Sequence, residues 1–438
     1  MAATQSLLWV VSAAKECLPR VDKADSPARV GAGLAAVFFA VCAATYVINA
    51  ADRMIFPVVL RPIAMEYGFS LTESGFLATI YLLGLGIGGI ATGHLLDRMS
   101  RRATMILGVL VYSLFTLVTA AAQGFFDMAT YRVLTGVGEA MQNVALVIAV
   151  SAFYPRSRAF AIGLIFCALG IGQFLGPRLG AFLAANGDWR QPFYAFGVAG
   201  LFGALALCFV AKGFTEQKNV GASFAPTDPG NDSHIPDGLW NRNSICVMLA
   251  VTFRSFPFYA FLGLYTTFLT TERDFTLAQA SVALSLFGLG PFFSPLAGYV
   301  ADRVNQKLFQ ITSLAIMAMT GFLIFNVATT PLEHNILSLV MGVAGGFAYV
   351  NGYSLVQRCV KNALIGRASG YFYAAGTFPT AISGYLLAKL VGLIGWGSGA
   401  TLMMSALLVV PILISLFIDT SQITGNGRSL SSGRRLWT

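Results

Sequence analysis

The hydrophobic pattern of this chain consists of long apolar runs separated by short polar stretches. A helix needs about 20 apolar residues to cross the hydrocarbon core of a bilayer, and twelve runs approach or exceed that length. The pattern therefore predicts an all-α polytopic membrane protein with twelve transmembrane helices. The predicted spans cover residues 33–56, 74–95, 103–122, 127–152, 159–185, 191–211, 243–270, 278–300, 307–328, 334–356, 363–389 and 396–418.

A polar stretch from Lys212 to Asn241, rich in Pro, Gly, Asp and Asn, interrupts the apolar runs near the middle of the chain. Such a composition is typical of a surface linker. It divides the chain into an N-terminal six-helix half at 33–211 and a C-terminal six-helix half at 242–418. We expect residues 212–241 to form a cytoplasmic linker, and residues 1–32 and 419–438 to form cytoplasmic tails.

Lysine and arginine are concentrated in alternate loops between the spans. Cytoplasmic loops of membrane proteins carry an excess of these residues, so the richer set and both termini are predicted to be cytoplasmic. The short loops favour the inner membrane of a bacterium. The richer set contains Arg98, Arg101, Arg102, Arg156, Arg158, Arg303, Lys307, Arg358, Lys361 and Arg367, whereas the opposite loops contain mainly Arg61, Arg190 and Arg273.

The composition of the 438 residues excludes several other classes of protein. The chain is 56% hydrophobic and 11% charged, whereas soluble domains carry about 25% charged residues. The net charge of +9 does not indicate nucleic-acid binding, because the basic residues lie in short loops between apolar runs. The six cysteines lack metal-binding spacing, the three histidines are expected in loops, and we find neither a nucleotide loop nor a nucleophile–base pair. We therefore expect neither a cofactor nor a metal site nor an enzymatic activity.

A loop motif occurs in both halves of the chain. Gly93-His-Leu-Leu-Asp97-Arg98-Met-Ser-Arg101-Arg102 follows the second predicted span, and Gly298-Tyr-Val-Ala-Asp302-Arg303 follows the eighth. Gly93 allows two helices to approach closely, and each aspartate can pair with a basic group or cap a helix. The motif is predicted to latch the two halves in one conformational state. Ordinary positive charge in cytoplasmic loops is the alternative interpretation.

Three motifs resemble those of the major facilitator superfamily. The sequence from Gly93 to Arg102 is similar to the family's loop signature, and Arg132-Val-Leu-Thr-Gly-Val-Gly-Glu139-Ala140 is similar to its fourth-helix motif. Trp189-Arg190-Gln-Pro-Phe193 resembles the start of its sixth helix. The resemblance covers the whole chain. It implies the major facilitator fold, with a substrate site between two six-helix halves near the membrane midplane.

The first span carries a finer resemblance. Asn49-Ala-Ala-Asp52-Arg53, together with the fourth-helix motif, is similar to the anion:cation symporters, which include sugar-acid and sialin-like transporters. Spinster-like lipid transporters share much of this pattern. The stretch Gly172-x-x-x-Gly176-Pro177-x-x-Gly180 resembles the fifth-helix motif of drug exporters. Such a glycine stripe also suits close helix packing, so it does not indicate the direction of transport.

Charged residues within the first and fourth spans are the main candidates for function, because a charge at the centre of a membrane helix costs roughly 2.5–3.5 kcal/mol. Arg53, with Asn49 on the same helix face, is predicted to hold a substrate carboxylate in a bidentate contact. Asp52 and Glu139 are predicted to carry protons, and Arg132 to balance Glu139. The anion:cation symporter resemblance likewise implies a substrate-linked arginine and proton-linked acids. A purely structural ion-pair network is the alternative.

The same reasoning predicts how deep these charges lie. We expect Asp52 and Arg53 in the outer half of the first span, Arg132 in the outer half of the fourth span, and Glu139 near its middle. Weaker candidates for the substrate site are Gln173, Tyr81, Arg254, Tyr259 and Asn351, with Tyr353 beside Asn351 and Arg178 as a gating or snorkelling residue. Leu85 occupies the position at which sugar-acid transporters place a tyrosine, which weakens the prediction of a sugar acid.

These observations predict a secondary active transporter, namely a proton-coupled symporter of a small organic anion that works by alternating access. The proton gradient is its expected energy source, the lipid bilayer its environment and a monomer its expected state. An aromatic stripe behind Arg254, including Phe256, Phe258 and Tyr265, could alternatively suit a lipid-like or aromatic anion. An exporter of drugs or amphipathic compounds and a spinster-like lysolipid transporter remain alternatives. A non-transporting receptor is a further one, although the sequence shows no signalling domain.

Overall fold

The chain folds into a bundle of helices, seen here in a computed structural model that describes residues 32–96, 98–153, 158–210, 236, 238–301, 303–361 and 364–423. In the first half, spans 1 to 6 are Ala32–Tyr67, Leu71–Thr79 with Tyr81–Leu96, Arg101–Thr119, Phe125–Phe153, Arg158–Leu183 and Gln191–Val210. In the second half, spans 7 to 10 are Arg242–Glu272, Leu277–Gly288 with Gly290–Phe293 and Ser294–Ala301, Gln306–Asn326 and Pro331–Arg358. Spans 11 and 12 are built from Ile365–Thr377, Pro379–Ile382, Ser383–Thr401, Leu402–Ala406 and Leu407–Leu416.

Local sequence determines where several spans begin. Ser70 and Glu73 form a capping box before span 2, as Thr276 and Gln279 do before span 8. In each box the first side chain accepts from a backbone N–H of the first turn, and the second side chain accepts from the cap residue's own N–H. These caps satisfy backbone groups that the helix itself leaves unpaired, so the spans start at the predicted loops.

The last apolar run forms one continuous helix assignment but contains more than one membrane crossing. Among the described residues, eleven helices are long and apolar enough to cross a membrane, and the last of them runs for 50 residues from Arg367 to Leu416. A straight helix of that length would extend about 75 Å, more than twice the hydrocarbon core of about 30 Å. The run instead breaks at Gly395, whose φ of 78° is readily adopted only by glycine.

Contacts across this break show that the chain reverses there. A Cβ atom built on Gly399 would lie 2.9 Å from the backbone nitrogen of Val391, although the two residues would be about 12 Å apart along a straight helix. The final run is therefore two antiparallel crossings, which confirms the predicted twelve spans.

Span 1 is longer than predicted. It extends over 36 residues to Tyr67 and includes Pro57 and Pro62, whereas the prediction ended at residue 56. Asp52 and Arg53 are the 21st and 22nd of its 36 residues, so they lie just past the middle of the helix and nearer to the middle than the shorter predicted span implied. Arg61, predicted in a loop, also lies within this helix. Proline does not end the span, because the neighbouring helices enclose this part of it.

The two halves meet at the end of the bundle that lies opposite the loop containing Arg98, Arg101 and Arg102. Thr266 of span 7 donates to the carbonyl of Pro57 in span 1, and the Arg61 guanidinium donates to the carbonyl of Thr270 at 2.6 Å. Beside them, span 2 packs on span 11 so closely that a methyl group at Gly75 would overlap the backbone of Gly384. This end of the bundle is therefore closed by contacts between the halves.

The glycine stripe of span 5 serves helix packing. A Cβ atom built on Gly176 would lie 2.6 Å from the carbonyl oxygen of Ala51 in span 1, a distance that leaves no room for a side chain. Gly172 contacts Val47 and Ala50 in the same way. The stripe therefore holds spans 1 and 5 together and positions the segment that contains Asp52 and Arg53.

Most of the predicted linker and tails lie outside the described residues. Asn241, at the end of the linker, caps span 7 and donates to the carbonyl of Cys359 at 2.7 Å. Cys17 lies outside the described residues, and the other five cysteines are free thiols. The division into two halves and three cytoplasmic segments stays a prediction.

Candidate functional site

Five charged side chains are buried among the described residues: Asp52, Arg53, Arg132, Glu139 and Arg254. Four of them belong to spans 1 and 4 of the first half, and the fifth belongs to span 7 of the second half. Buried charges are rare in membrane helices and usually face a bundle interior. Their positions therefore mark the candidate site.

Arg53 and Glu139 form the central ion pair of the site. The Nε atom of Arg53 lies 2.7 Å from Oε2 of Glu139, and Nη2 of Arg53 donates to Oδ1 of Asn49 at 2.8 Å. Asn49 and Arg53 thus share a helix face, as predicted from their spacing. The direct partner of Glu139 is Arg53, whereas Arg132 lies within electrostatic range of Glu139, so the prediction that Arg132 balances Glu139 stays a prediction.

A chain of hydrogen bonds supports this ion pair. The amide of Asn49 donates to Oε1 of Gln142 at 2.8 Å, and the amide of Gln142 donates to the hydroxyl of Thr45 at 3.1 Å. Glu139 and Gln142 are three residues apart, and hence lie on one face of span 4. Gln142 was not among the predicted site residues. Its position one turn after Glu139 is the signal by which it could have been found.

Asp52 is held separately from the ion pair. Its Oδ2 atom accepts a hydrogen bond of 2.8 Å from the hydroxyl of Thr116 in span 3. This agrees with the expectation that Asp52 and Arg53, adjacent on a helix, point about 100° apart. The two carboxylates of the site therefore have different partners.

Arg132 lies against aromatic rings. Its guanidinium carbon is 4.7 Å from the ring centroid of Phe56 and 5.0 Å from that of Tyr81. Rings attract cations through their negatively charged faces. The Nε and Nη2 atoms of Arg132 are buried without a hydrogen-bond partner among the described residues. Tyr81, a predicted substrate contact, is thus a packing partner of this arginine.

Arg254 is the buried charged residue of span 7. It donates to the carbonyl of Gly345 in span 10 at 2.8 Å, and its guanidinium carbon lies 4.9 Å from the ring of Phe258 and 5.4 Å from that of Tyr349. No carboxylate within the described residues forms a salt bridge with it. Arg254 is therefore a buried cation that neighbouring π systems and one carbonyl stabilise.

Tyrosines occupy the region between Arg53 and Arg254. Tyr259 of span 7 lies within electrostatic range of both arginines, and Tyr373 of span 11 lies within range of Arg53 and Tyr259. Tyr349 of span 10 interacts in the same way with Arg254, Tyr259 and Tyr373. All three tyrosines are half-buried. Their partial exposure leaves ring surface that a ligand could contact, and we call this group of three tyrosines the tyrosine chamber.

Several predicted residues do not join this chamber. The amide of Asn351 faces span 9, where it donates to the carbonyl of Gln306 and to Oε1 of Gln310, each at 2.9 Å, so its prediction as a substrate contact is not supported. Gln173 lies at the contact between spans 5 and 8, where its backbone abuts Gly288. Arg178 packs over the ring of Phe174 at 4.1 Å.

The loop motif contacts its own half where it is described. Arg102 donates to the carbonyl of Cys208 at 2.8 Å, and Arg303 donates to the carbonyl of Tyr299 at 3.0 Å. Gly93 lies in span 2, Arg98 is exposed and Arg101 is partly exposed. Asp97 and Asp302 lie outside the described residues, so the predicted latch stays a prediction.

Two histidines depart from the prediction. His334 is fully buried in the first turns of span 10, where its Nδ1 atom lies 3.0 Å from the hydroxyl of Tyr265. His94 also lies within a helix, near the end of span 2, and His234 is outside the described residues. Placing all three histidines in loops was therefore wrong. Within the described residues, no group of three metal-binding side chains is present.

The sequence and fold are similar to those of known transporters. The cis,cis-muconate transport protein of Acinetobacter baylyi is 22% identical over 405 residues, covering 90% of this chain and 97% of that protein. The hexuronate transporter of Bacillus subtilis is 24% identical, and the match covers 83% of this chain and 89% of that protein. A bacterial homolog of the human lysosomal transporter Spinster, solved in an inward-facing and occupied conformation, has a similar fold. Its TM-score is 0.72 at 17% sequence identity, and the match covers 89% of this chain and 97% of that protein.

The family model that matches the chain agrees with these relatives. The model described as Major Facilitator Superfamily matches residues 42–383 and 244–431. The family and the relatives are membrane transporters, which confirms the prediction of a transporter rather than an enzyme. Because this model matches most of its length, the chain belongs to the Major Facilitator Superfamily.

Proposed function

We propose that this protein transports a small organic anion together with protons. The observation that carries the proposal is the balance of buried charge. The buried side chains comprise three cations, Arg53, Arg132 and Arg254, and two anions, Asp52 and Glu139. One positive charge is left over when all five are ionised, and an unbalanced charge is costly inside a membrane protein. This excess positive charge attracts an anion, and a proton taken up with the anion returns the site to its original net charge.

The relatives support an acid as the substrate. Muconate and hexuronate, named for the two transporters above, are both carboxylates. A guanidinium binds a carboxylate through parallel N–H donors. Arg53 is the best placed of the three arginines, because it lies near the middle of span 1 and next to a carboxylate that can take up a proton.

The coupling we propose is a competition for Arg53. In the structure, Glu139 is the partner of this guanidinium at 2.7 Å. A substrate carboxylate that takes over the guanidinium leaves Glu139 buried without its cation. An unpaired buried carboxylate favours its neutral form, so Glu139 then binds a proton. Anion and proton are thereby bound together, and neither is favoured alone.

Release follows the same competition in reverse. When the opposite side of the membrane becomes accessible, loss of the proton from Glu139 restores its charge and its attraction to Arg53. The anion is displaced as the ion pair forms again. Asp52, held by Thr116 at 2.8 Å, is the candidate for a second proton. The halves would rock about this site to alternate access.

Orientation and assembly are part of the same proposal. We propose that the loop containing Arg98, Arg101 and Arg102 faces the cytoplasm, with both termini on that side. The contacts of Thr266 and Arg61 would then close the outer face. We propose that the protein works as a monomer in a bacterial inner membrane.

Uptake by proteoliposomes tests this function. Purified protein is reconstituted, and uptake of labelled carboxylates is measured with an inward proton gradient and without one. We expect gradient-stimulated uptake of at least one acid, abolished by a proton ionophore. Empty liposomes provide the control. Uptake of no acid under either condition would contradict the proposal and favour export of amphipathic compounds.

A further inference from the structure

We infer that the site selects planar aromatic or conjugated carboxylates over polyhydroxylated acids such as sugar acids. This inference rests on the proposed function and names the substrate class of the same site. It comes from the tyrosine chamber, whose three tyrosines Tyr259, Tyr349 and Tyr373 lie between the buried arginines of the two halves. The charge cluster attracts an anion of any shape, and the walls of the chamber decide which shape fits.

The first observation is the density of ring surface in the chamber. Tyr259 packs edge-to-face against Phe258 with ring centroids 5.4 Å apart, and Tyr349 lies 5.5 Å from the ring of Phe372. The tyrosines come from spans 7, 10 and 11, so rings face the space from three helices. Stacked and edge-to-face ring pairs contribute beyond the area they bury. A flat unsaturated acid gains these contacts, whereas a saturated hydroxylated acid does not.

The second observation is that the tyrosine hydroxyls are free. The hydroxyls of Tyr259, Tyr349 and Tyr373 form no hydrogen bond with any residue that the structure describes. Each phenol offers one donor and an acceptor. Together they can bind the carboxylate and a phenolic hydroxyl of an aromatic acid whose ring contacts the tyrosine rings.

The third observation is that the amides near the site are already engaged. Asn49 donates to Gln142 and accepts from Arg53, while Gln142 donates to Thr45. A sugar acid carries several hydroxyls, and each one left unpaired on burial is costly. The side chains left to contact ligand are therefore mainly aromatic or cationic.

Direct comparison of two monoanions tests the inference. The probes are 4-hydroxybenzoate and D-glucuronate, each with one carboxylate, and binding to the purified protein in detergent is measured with radiolabelled acids. We expect 4-hydroxybenzoate to bind at least about tenfold more tightly, as lost ring contacts would imply. Arg53→Ala should abolish binding of whichever acid binds.

Variants of one tyrosine locate the preference. Tyr259→Leu removes the ring, and we expect it to weaken 4-hydroxybenzoate binding by about tenfold. Tyr259→Phe keeps the ring and should lose less. Tyr194→Leu is the matched control, because Tyr194 is 44% exposed on span 6, and it should bind like the unmodified protein. Each variant is first checked for a monodisperse elution profile, and if Tyr259→Leu fails, the two-acid comparison decides.

The outcomes separate this inference from the proposed function. Equal binding of the two acids, or tighter binding of D-glucuronate, overturns the inference and leaves anion transport in place. Binding of neither probe together with uptake of a saturated acid overturns it as well. If the liposome panel shows no uptake of any acid, the proposed function fails and the inference fails with it.

Discussion

The two halves of the bundle treat their buried charge differently. In the first half, spans 1 and 4 place two cations beside two carboxylates, and the ion pair of Arg53 and Glu139 is supported by Asn49 and Gln142. In the second half, Arg254 is a single cation, held by a carbonyl and by aromatic rings. Among the described residues, the buried charges of the first half thus have both signs, whereas the buried charge of the second half is positive.

This difference suggests a division of labour. A carboxylate paired with an arginine can lose that cation and bind a proton instead. Its protonation therefore depends on whether the substrate anion has taken over the arginine. A cation that rings and a carbonyl stabilise has no such exchange available. The first half is therefore suited to coupling, whereas the second half is suited to attracting the anion and contributing ring surface. The predictions below change one half at a time.

The largest effect is expected from Arg53→Ala. The substitution removes the cation that binds the substrate and leaves Glu139 buried and unpaired, which typically costs about 3–5 kcal/mol. We expect uptake to fall by more than about 100-fold, since losing one partner of a buried charge pair costs about 2–5 kcal/mol or more of binding. Initial rates in proteoliposomes and melting temperatures in detergent provide the measurements.

Two further variants separate binding from folding at this position. The double variant Arg53→Ala/Glu139→Gln removes the unpaired charge, and should regain thermal stability without regaining uptake. Lys389→Ala is the control, because it removes an exposed cation of span 11 that lies over the ring of Tyr385, and it should transport normally. Recovery of uptake in the double variant would show that Arg53 acts only through the fold.

The second effect concerns Glu139→Gln, which keeps the size of the side chain but cannot exchange a proton. We expect this variant to lose uptake driven by a proton gradient, while exchange of labelled for unlabelled acid across the membrane continues. A gradient of one pH unit is equivalent to about 1.4 kcal/mol, so accumulation should fall by about tenfold for each coupled proton. Asp127→Asn is the matched control, because Asp127 caps the start of span 4. Normal accumulation by Glu139→Gln would contradict the role of Glu139 and indicate that Asp52 carries the coupled proton.

The smallest effect is expected from Arg254→Ala. This arginine pairs with no carboxylate among the described residues, so its loss leaves no opposite charge buried. We expect KM to rise by about three- to tenfold, the range implied by one cation–π or charge-assisted contact. The dependence on the proton gradient should remain. A variant that loses gradient stimulation while KM is unchanged would place coupling in the second half and contradict the division of labour.

The sequence predicts much of the fold because each span carries its own signal. Apolar runs of membrane length and capping residues such as Ser70 and Thr276 act locally, so the number of spans was correct and most of their starts were close. The end of span 1 was missed. Pro57 and Pro62 suggest a break, yet contacts with other helices keep that segment helical, and those contacts are not visible in the local sequence.

The site was only partly predictable for the same reason. Charge within an apolar run is conspicuous, and this signal identified Arg53, Asp52, Arg132 and Glu139. The choice of Arg53 over Arg132 as the partner of Glu139 depends on how spans 1 and 4 pack.

The convergence of Tyr349 and Tyr373 on the chamber could not be predicted at all, since it joins spans 10 and 11 across the bundle. Tyrosine is ordinary in membrane helices, so neither residue gives a local signal. Asn351 was instead predicted without support from the structure. An amide within a span suggested a ligand contact, whereas this amide faces span 9.

Proton movement during substrate uptake tests the central claim most directly. A transported acid is added to the outside of proteoliposomes that contain a pH-sensitive dye. No proton gradient is imposed, and potassium with valinomycin holds the membrane potential at zero. The account predicts acidification of the interior that tracks uptake of the acid and is absent in Glu139→Gln. Uptake of the acid with no change in internal pH would contradict the coupling assigned to Arg53 and Glu139.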